Sequence, residues 1–339
     1  MKNLLYFCVF YNNNYFKLLN LLLTSLRFFS KIDSFDILIL TNENMRAEVE
    51  ELSRKLRINI KIQTFDFKTI FQAACARLFI FDYPKIDYYN KILYIDTDII
   101  IKKDLSILFD LQIGNLLYAL EQGNINSLNF GKQFFNFDTI SPNTTGINSG
   151  TLLFKNCKEI RNLFSRIIGH INAYTDSKLT TPYTMDQPFI NYHAISSKMY
   201  DNKLLNPYIS LYEDTDNVTN YDTSIICHFS YPIGNFNHKY DRMKGFLIKI
   251  LEDTKNKTFN LENINNKKYS WHAGYILFKN DSLLTVWGPG TFKVLDDNKY
   301  LVSWSGFNHI IRMNEDYTEY MSVRTNDFDI VFGKLILLI

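Results

Sequence analysis

The stretch of sequence that decides the fold reads Ile92-Leu93-Tyr94-Ile95-Asp96-Thr97-Asp98-Ile99-Ile100-Ile101. Two acidic residues interrupt an otherwise apolar run, where burial of an unpaired carboxylate is costly. Because alternate side chains of an extended chain share one face, Asp96 and Asp98 are expected to point the same way at the carboxyl end of a buried strand. Such a pair suits Mn²⁺ or Mg²⁺ carrying a nucleotide diphosphate. A strand end at which the acids meet only solvent or Lys102 is the alternative.

Outward from this run, strand-like and helix-like segments alternate along the N-terminal half. Apolar runs predict buried strands at 4–10, 35–40, 58–64 and 92–95. Helical spacing of apolar residues predicts a leucine-rich helix after the asparagine triplet at 12–14 and further helices at 45–56 and 68–82. This alternation is typical of an α/β fold with a largely parallel sheet.

The pattern changes after about residue 250. We predict an α/β domain over 1–250, a polar linker or helix over 251–267, and an all-β module over 268–339, where short strand-like runs alternate with turn residues. The three tryptophans of the chain lie there at nearly equal spacing, each closely followed by glycine: Trp271, Trp287 and Trp304. One hairpin per repeat would explain this spacing.

The composition excludes several other classes of protein. With 339 residues, of which 46% are hydrophobic and 21% charged, the chain is able to bury a sizeable core and is not a disordered polymer. The 37 basic and 35 acidic residues are scattered, so neither nucleic acid nor an acidic membrane is an expected partner. No phosphate-binding glycine loop and no GxSxG motif is present. The N-terminus lacks the features of a signal peptide or transmembrane helix, so we expect a soluble cytoplasmic protein.

Further motifs occur in a fixed order around the paired acids. They are Ala76-Arg77-Leu78, Asn148-Ser149-Gly150-Thr151-Leu152-Leu153-Phe154, Asp186-Gln187-Pro188-Phe189-Ile190-Asn191, and His228-Phe229 with Gly234 and Lys239. Over roughly 3–245 this series resembles the GT-A-fold glycosyltransferases of family 8, which include glycogenin-like and bacterial galactosyltransferase-like enzymes. The resemblance implies the α/β fold of a nucleotide-diphospho-sugar transferase, a Rossmann-like mixed sheet flanked by helices, with the small all-β module following it.

The resemblance also implies roles for single residues. Asp96, Asp98 and His228 would bind Mn²⁺, with Mg²⁺ as the alternative. The implied donor-binding residues are Phe10, Asn12, Asn14, Arg77, Asn148, Ser149, Gly150, Gly234 and Lys239. The implied catalytic residues are Gln187 and Asp186. The interval from Gly234 to Lys239 is longer than in the family, so His238 and Lys244 stay open as alternatives to Lys239.

The resemblance therefore implies a metal-dependent, retaining transferase that moves glucose or galactose from a UDP-sugar to a glycan or protein acceptor. Gln187 is a poor nucleophile, which favours an internal-return mechanism, in which the leaving diphosphate helps to deprotonate the acceptor. The alternative is a catalytically weak transferase-like domain that binds glycans through the C-terminal module. The tryptophans of that module are expected either to contact an acceptor glycan or to fill the core of a small domain.

Overall fold

The structure is a computed structural model that describes residues 2–212, 223–230, 236–254, 261–280 and 282–338. It divides the chain into two compact units, Met1–Met243 and Lys244–Ile339. The helix Phe236–Glu252 runs across this division. The domain boundaries near 250 and 268 stay predictions.

A seven-stranded mixed sheet forms the centre of the first unit. The ten strands described in this unit are β1 Lys2–Cys8, β2 Asp36–Thr41, β3 Ile60–Thr64, β4 Tyr89–Ile95, β5 Ile99–Ile101, β6 Leu117–Asn124, β7 Thr145–Lys155, β8 Tyr200–Asp201, β9 Ile209–Leu211 and β10 Ile226–His228. The large sheet has the order β3-β2-β1-β4-β7-β6-β8. Its first four strands are mutually parallel, whereas β7 runs antiparallel to β4 and β6. This mixed α/β sheet confirms the predicted fold class.

Helices accompany the sheet. They are α1 Asn13–Phe29, α2 Arg46–Leu56, α3 Ile70–Ala74, α4 Ser106–Asp110, α5 Lys158–Asp176, α6 Gln187–Ser196 and α7 Phe236–Glu252. The leucines of α1 are buried, and its start is capped by Asn12, whose side chain accepts a hydrogen bond from the backbone N–H of Asn14. None of the helices within the described ranges has the length and apolar character needed to cross a membrane.

The decisive run 92–101 is two strands rather than one. β4 ends at Ile95 and β5 begins at Ile99, and the two strands belong to different sheets. The intervening acids therefore lie in the link from the large sheet to a three-stranded sheet of order β5-β10-β9. In that small sheet His228 pairs with Ile99, so pairing of β10 with β5 brings the histidine beside the acidic link.

The helix predicted over 68–82 is interrupted. α3 ends at Ala74, and a 3₁₀ helix follows over Ala76–Asp82. Between them Cys75 has φ −84° and ψ 0°, values that lie outside the α-helical region. The apolar pattern continues across this kink, so the sequence did not reveal it.

The second unit is a closed antiparallel barrel. Its strands are β11 Lys267–Trp271, β12 Gly274–Lys279, β13 Ser282–Thr285, β14 Gly288–Asp296, β15 Lys299–Trp304, β16 Phe307–Met313, β17 Glu319–Arg324 and β18 Ile330–Leu338. Each strand pairs with the next, and β18 pairs back with β11. Closure leaves the barrel without an unpaired sheet edge. The predicted all-β module is confirmed.

Two details of the barrel differ from the sequence-based prediction. β11 begins at Lys267, the last residue of the predicted linker, and the rings of Tyr269 and Trp271 in this strand are buried. The Gly-Pro-Gly segment at 288–290 was predicted as a turn but forms the start of β14. Gly290 has almost no room for a side chain there, since a Cβ would lie 2.5 Å from the Ser303 carbonyl oxygen.

Replacement of Gly333 by alanine is expected to destabilise the barrel. A Cβ at this position in β18 would lie 2.1 Å from Tyr320 Cε1 and 2.3 Å from the Ser270 carbonyl oxygen. Because strand backbone cannot yield without loss of pairing, the free energy of unfolding should fall by about 1–3 kcal/mol. Urea denaturation followed by tryptophan fluorescence measures this, since all three tryptophans lie in the barrel.

The matched control is Gly245→Ala in α7, where a Cβ would meet nothing within 4 Å. That change should be neutral or should stabilise the helix by about 0.5–1 kcal/mol. Equal unfolding midpoints for the two variants would contradict the steric argument.

Candidate active site

Two acids and a histidine meet at the carboxyl end of β4. One ligand atom from each of Asp96, Asp98 and His228 lies within 4.8 Å of the others. The acids come from the link between β4 and β5, and the histidine ends β10. His228 is 2% exposed, and its Nε2 lies 3.3 Å from Asp98 Oδ1. The structure thus brings together the three residues that were predicted to bind metal.

The polar atoms of this cluster are not all satisfied by the protein. Within the described part of the chain, His228 Nδ1 is buried without a hydrogen-bond partner, and the buried Asp98 Oδ1 has only the 3.3 Å contact to His228 Nε2. Buried polar atoms are nearly always paired, so an unpaired one is explained by strain, by a catalytic role or by a water or ion that binds there. Two carboxylates and an imidazole are suitable ligands for a transition metal. The cluster could therefore bind a divalent metal ion.

A lysine from α7 completes the charge balance around Asp98. Lys239 Nζ donates to Asp98 Oδ2 at 2.7 Å. Burial raises the pKa of Asp98, but Lys239 and His228 oppose it more strongly, so that its pKa lies well below the usual range and the carboxylate is ionised. Lys244, one of the predicted alternatives, instead donates to the carbonyl oxygen of Asn326 within the second unit.

A buried guanidinium joins the acidic link to α6. Arg77 is 9% exposed, with Nη1 3.2 Å from Asp96 Oδ1 and Nε 2.9 Å from Asp186 Oδ2. Nη1 also donates to the Ser149 carbonyl oxygen at 2.6 Å, and the guanidinium carbon lies 4.6 Å from the centre of the Tyr94 ring. Arg77 is therefore a buried bridge between two carboxylates rather than an exposed helix cation.

The carboxyl group of Asp186 is strongly affected by this burial. It is 1% exposed, and burial raises its pKa to about 6 although the Arg77 guanidinium acts in the opposite direction. The negative charge of Asp96 raises this pKa further. Asp186 thus depends on Arg77 to keep its negative charge inside the protein.

The segment Asn148–Gly150 lies in β7, which pairs with β4 and β6. Asn148 Oδ1 accepts from the Gly150 N–H at 2.7 Å, and Asn148 Nδ2 donates to Gln122 Oε1 at 2.6 Å. A Cβ at Gly150 would lie 2.4 Å from His228 Cε1 and 2.8 Å from Asp96 Oδ2. Glycine is required here because any side chain would displace members of the cluster.

Helix α6 is fastened to β7 by two side-chain amides. Gln187 Oε1 accepts from the Ser149 N–H at 3.1 Å, and Gln187 Nε2 donates to the Asn129 carbonyl oxygen at 3.1 Å. Asn191 is fully buried; its Oδ1 accepts from the Ile147 N–H at 2.8 Å and its Nδ2 donates to the Ile147 carbonyl oxygen at 2.9 Å. These bonds fix the position of Gln187 relative to the strand.

The predicted donor residues near the first strand lie just beyond β1. Asn12 caps α1, because its side-chain oxygen accepts a hydrogen bond from the Asn14 N–H. Asn14 is half-buried in the first turn of α1. Phe10 is 8% exposed, and its ring packs 5.4 Å from that of Phe67. Gly234 lies outside the described residues.

A cavity of about 280 Å³ lies across the carboxyl ends of β1, β2 and β3. Its lining includes Tyr11, Asn42 and Asp66, which were not predicted from the sequence. The Tyr11 ring is 47% exposed, and its backbone N–H donates to Asn42 Oδ1 at 3.3 Å. Each of these residues lies just after a predicted strand. A search for polar or aromatic residues directly after every predicted strand would therefore have found them.

Comparison of the sequence with known protein families gives one match. A sequence model described as Glycosyl transferase family 8 matches residues 5–236. No curated protein matches the chain.

Solved structures of glycosyltransferases share the fold. The bifunctional glycosyltransferase WbbM, in an apo structure, matches with TM-score 0.50 and 18% identity over 73% of this chain and 49% of that one. The galactosyltransferase LgtC, in complex with donor and acceptor sugar analogues, matches with TM-score 0.50 and 16% identity over 72% of this chain and 95% of that one. At these identities the likeness shows the fold alone. The first unit therefore has the GT-A fold predicted from the motifs.

Replacement of Arg77 by methionine is expected to lower stability strongly. It leaves Asp186 buried without its counter-charge, and loss of one partner of a buried ion pair typically costs about 3–5 kcal/mol. Asp186→Asn in the same chain should recover part of that loss, because it removes the uncompensated charge. The measurement is the free energy of unfolding from urea titrations of the two variants.

Arg54→Met is the matched control, because Arg54 forms an exposed pair with Glu51. Loss of an exposed pair should change stability by less than about 1 kcal/mol. If Arg77→Met proved as mild as Arg54→Met, Arg77 would not be the bridge described above.

Proposed function

The chain belongs to glycosyl transferase family 8, and from this premise we propose that it is a metal-dependent hexosyltransferase that retains anomeric configuration. It moves glucose or galactose from a UDP-sugar to a glycan or protein acceptor. The observation that carries the proposal is the cluster of Asp96, Asp98 and His228 at the carboxyl end of β4, whose buried ligand atoms are partly unpaired.

The strand order supports a place for the donor nucleotide. In sheets of parallel strands, ligands bind in the crevice at the carboxyl ends of the strands. The cavity spans those ends on β1, β2 and β3, and the acidic link follows the neighbouring strand β4. We assign the uracil and ribose to the cavity, where Tyr11 offers an aromatic face and Asn42 and Asp66 offer hydrogen-bonding groups. The diphosphate then extends towards the acidic link.

The ligand set favours Mn²⁺, with Mg²⁺ as the alternative. Asp96, Asp98 and His228 would hold the ion, and an imidazole ligand is more common for Mn²⁺ than for Mg²⁺. The bound cation supplies positive charge that stabilises a departing diphosphate. The ammonium of Lys239, held beside Asp98, adds a second positive charge at the same place.

Residues of β7 and α6 are assigned to the transferred sugar. Asn148, Ser149 and Gly150 lie on the strand beside the cluster, and Gln187 bonds directly to that strand. An amide is a weak nucleophile, which supports internal return rather than a glycosyl-enzyme intermediate. We assign Asp186 a positioning role, because it is buried and paired with Arg77.

The second candidate function is glycan binding by a catalytically weak transferase-like domain. In a domain that had lost catalytic function, we would expect one or more of the candidate metal ligands to be replaced by other residues. Instead, both carboxylates, the histidine and the lysine are present and in contact. The intact cluster supports an active enzyme. Release of UDP from UDP-glucose or UDP-galactose separates the two candidates.

Asp98→Asn is expected to reduce UDP release by at least about a hundredfold, because it removes a charge that binds the cation while it preserves the shape of the side chain. Activity should also be lost with EDTA and return with added Mn²⁺. The assay is UDP release from UDP-glucose and UDP-galactose, each with and without Mn²⁺.

The control is Asp138→Asn, which makes the same change on the exposed surface. Normal turnover by the Asp98 variant, or activity that survives EDTA, would rule out metal-dependent transfer.

Gln187→Ala is expected to lower the rate of transfer by about a hundredfold, the usual effect of removing one well-placed polar group from an active site. The residual product should keep the anomeric configuration of the donor. Proton NMR of the freshly formed product reports both quantities. A product of inverted configuration, from either the wild-type enzyme or the variant, would exclude internal return.

A further inference from the structure

The three tryptophans that recur in the sequence of the barrel lie at one of its ends. In a closed antiparallel barrel, alternate turns lie at the same end, so β11, β13, β15 and β17 all terminate together. Trp271 ends β11, Trp287 follows β13, and Trp304 ends β15. Arg324 ends β17 at the corresponding place. The sequence repeat is thus a structural one, in which the fourth repeat carries arginine in place of tryptophan.

The aromatic rings at this end contact one another. Trp271, Trp304 and His309 form a triangle in which all three ring centroids lie 4.8 Å apart. The ring planes of Trp304 and His309 differ by 2°, and those of Trp304 and Trp287 by 12° at 6.3 Å. Trp271 stands nearly perpendicular to Trp304, at 86°. The rings form an ordered stack that leads outwards to Trp287.

Core packing accounts for only part of this stack. Trp271 and Trp304 are 3% and 8% exposed and belong to the barrel core. Trp287 is 47% exposed and Phe307 is 43% exposed. Large aromatic rings left in contact with water beside a cavity are typical of ligand-binding sites rather than of cores. The two exposed rings therefore require another explanation.

A cavity of about 250 Å³ opens between these rings and a polar edge. Arg324 supplies that edge; its Nε and Nη2 donate to the two carboxylate oxygens of Asp327 at 2.8 and 2.7 Å. Asp329 also lines the cavity, with Oδ2 3.6 Å from Arg324 Nη2. Burial, reinforced by Arg324, lowers the pKa of the His309 imidazole to about 4, so this ring is neutral at neutral pH.

We propose that this end of the barrel is a binding site for a neutral saccharide, with one sugar ring on the exposed face of Trp287 and its hydroxyl groups bonded to Arg324 and Asp329. A hexose ring presents apolar C–H faces and a rim of hydroxyls, which matches an aromatic floor with a paired donor and acceptor at its edge. The cavity is smaller than the about 300–1,000 Å³ of sites for larger ligands, so it suits a single ring.

The charges at the polar edge argue against the other ligands that aromatic sites accept. An acidic sugar would face the carboxylate of Asp329, which lines the cavity. A quaternary ammonium would face the Arg324 guanidinium, which lies 5.2 Å from the centre of the Phe307 ring. The site does not depend on the transferase activity proposed above, because all its residues belong to the second unit.

Tryptophan fluorescence of the full chain provides a selective test. All three tryptophans line this cavity, so their emission reports on the barrel end without nucleotide or metal present. The probes are a panel of neutral oligosaccharides built from glucose, galactose, mannose and N-acetylglucosamine, with choline and glucuronate for comparison. A saturable change in emission with at least one neutral oligosaccharide, confirmed by calorimetry, is expected. Binding to none of the panel, or tighter binding of choline or glucuronate, would overturn the proposal.

Variants locate the binding site. Trp287→Ala should weaken saccharide binding by about tenfold or more, because it removes the stacking surface. Trp287→Tyr, which restores an aromatic face, should recover most of the affinity, and Ile336→Ala provides an exposed apolar control on the barrel, outside the cavity. Calorimetry measures the affinities, and the melting temperature shows that each variant is folded. Equal affinities for Trp287→Ala and the wild type would place the saccharide elsewhere.

Discussion

The charged centre of the first unit depends on one buried guanidinium. Arg77 holds Asp186 and Asp96 at the same time and is itself almost excluded from solvent. Burial of the Asp186 carboxylate is tolerable because a fixed cation beside it compensates its charge, and the same cation also contacts the partly exposed Asp96. Because Asp186 precedes α6 and Asp96 follows β4, this pairing sets the distance between helix and strand. The position of Gln187 at the start of α6 relative to the acidic link depends on that distance.

Irregular backbone, rather than regular strand, carries the two acids of the candidate metal site. The acidic residues lie where the chain leaves one sheet and enters another, and the histidine arrives from the smaller sheet. Close approach of β7 is possible because Gly150 has no side chain to meet His228 and Asp96. Two sheets and one glycine thus bring one polar atom from each of Asp96, Asp98 and His228 within 4.8 Å of one another. Polar atoms of Asp98 and His228 that the protein does not fully satisfy are thereby left available to a bound ion.

The barrel uses its aromatic residues in two ways. Tyr269, Phe278 and Tyr300 are fully buried, as expected for a small domain whose core must be built from large apolar groups. At the end where the odd-numbered strands terminate, the same repeat leaves Trp287 half-exposed. One sequence pattern therefore provides both core packing and an accessible aromatic surface. Which of the two a given tryptophan serves depends on whether it lies within a strand or in the following turn.

The sequence by itself determined the fold class and named the two acids and the histidine that the structure brings together. Apolar runs and helical spacing predicted β1, β2, β3 and β4 with their intervening helices, because burial of alternate or continuous apolar residues leaves a local pattern. The order of motifs identified Asp96, Asp98 and His228 as a group. Equal spacing of the tryptophans revealed the barrel hairpins, since each hairpin repeats the same length of chain.

Tertiary structure alone decided how these residues act together. The kink at Cys75 and the separation of β4 from β5 leave no mark in the apolar pattern, because the residues on both sides stay buried. The partners of Arg77 and Lys239 lie far away in the sequence, so no local spacing distinguishes a buried bridge from an exposed cation. Exposure of Trp287 and burial of Trp271 likewise follow from barrel closure. Long-range packing sets the charge environment and the solvent exposure of each side chain, and the neighbouring residues in the sequence predict neither of them.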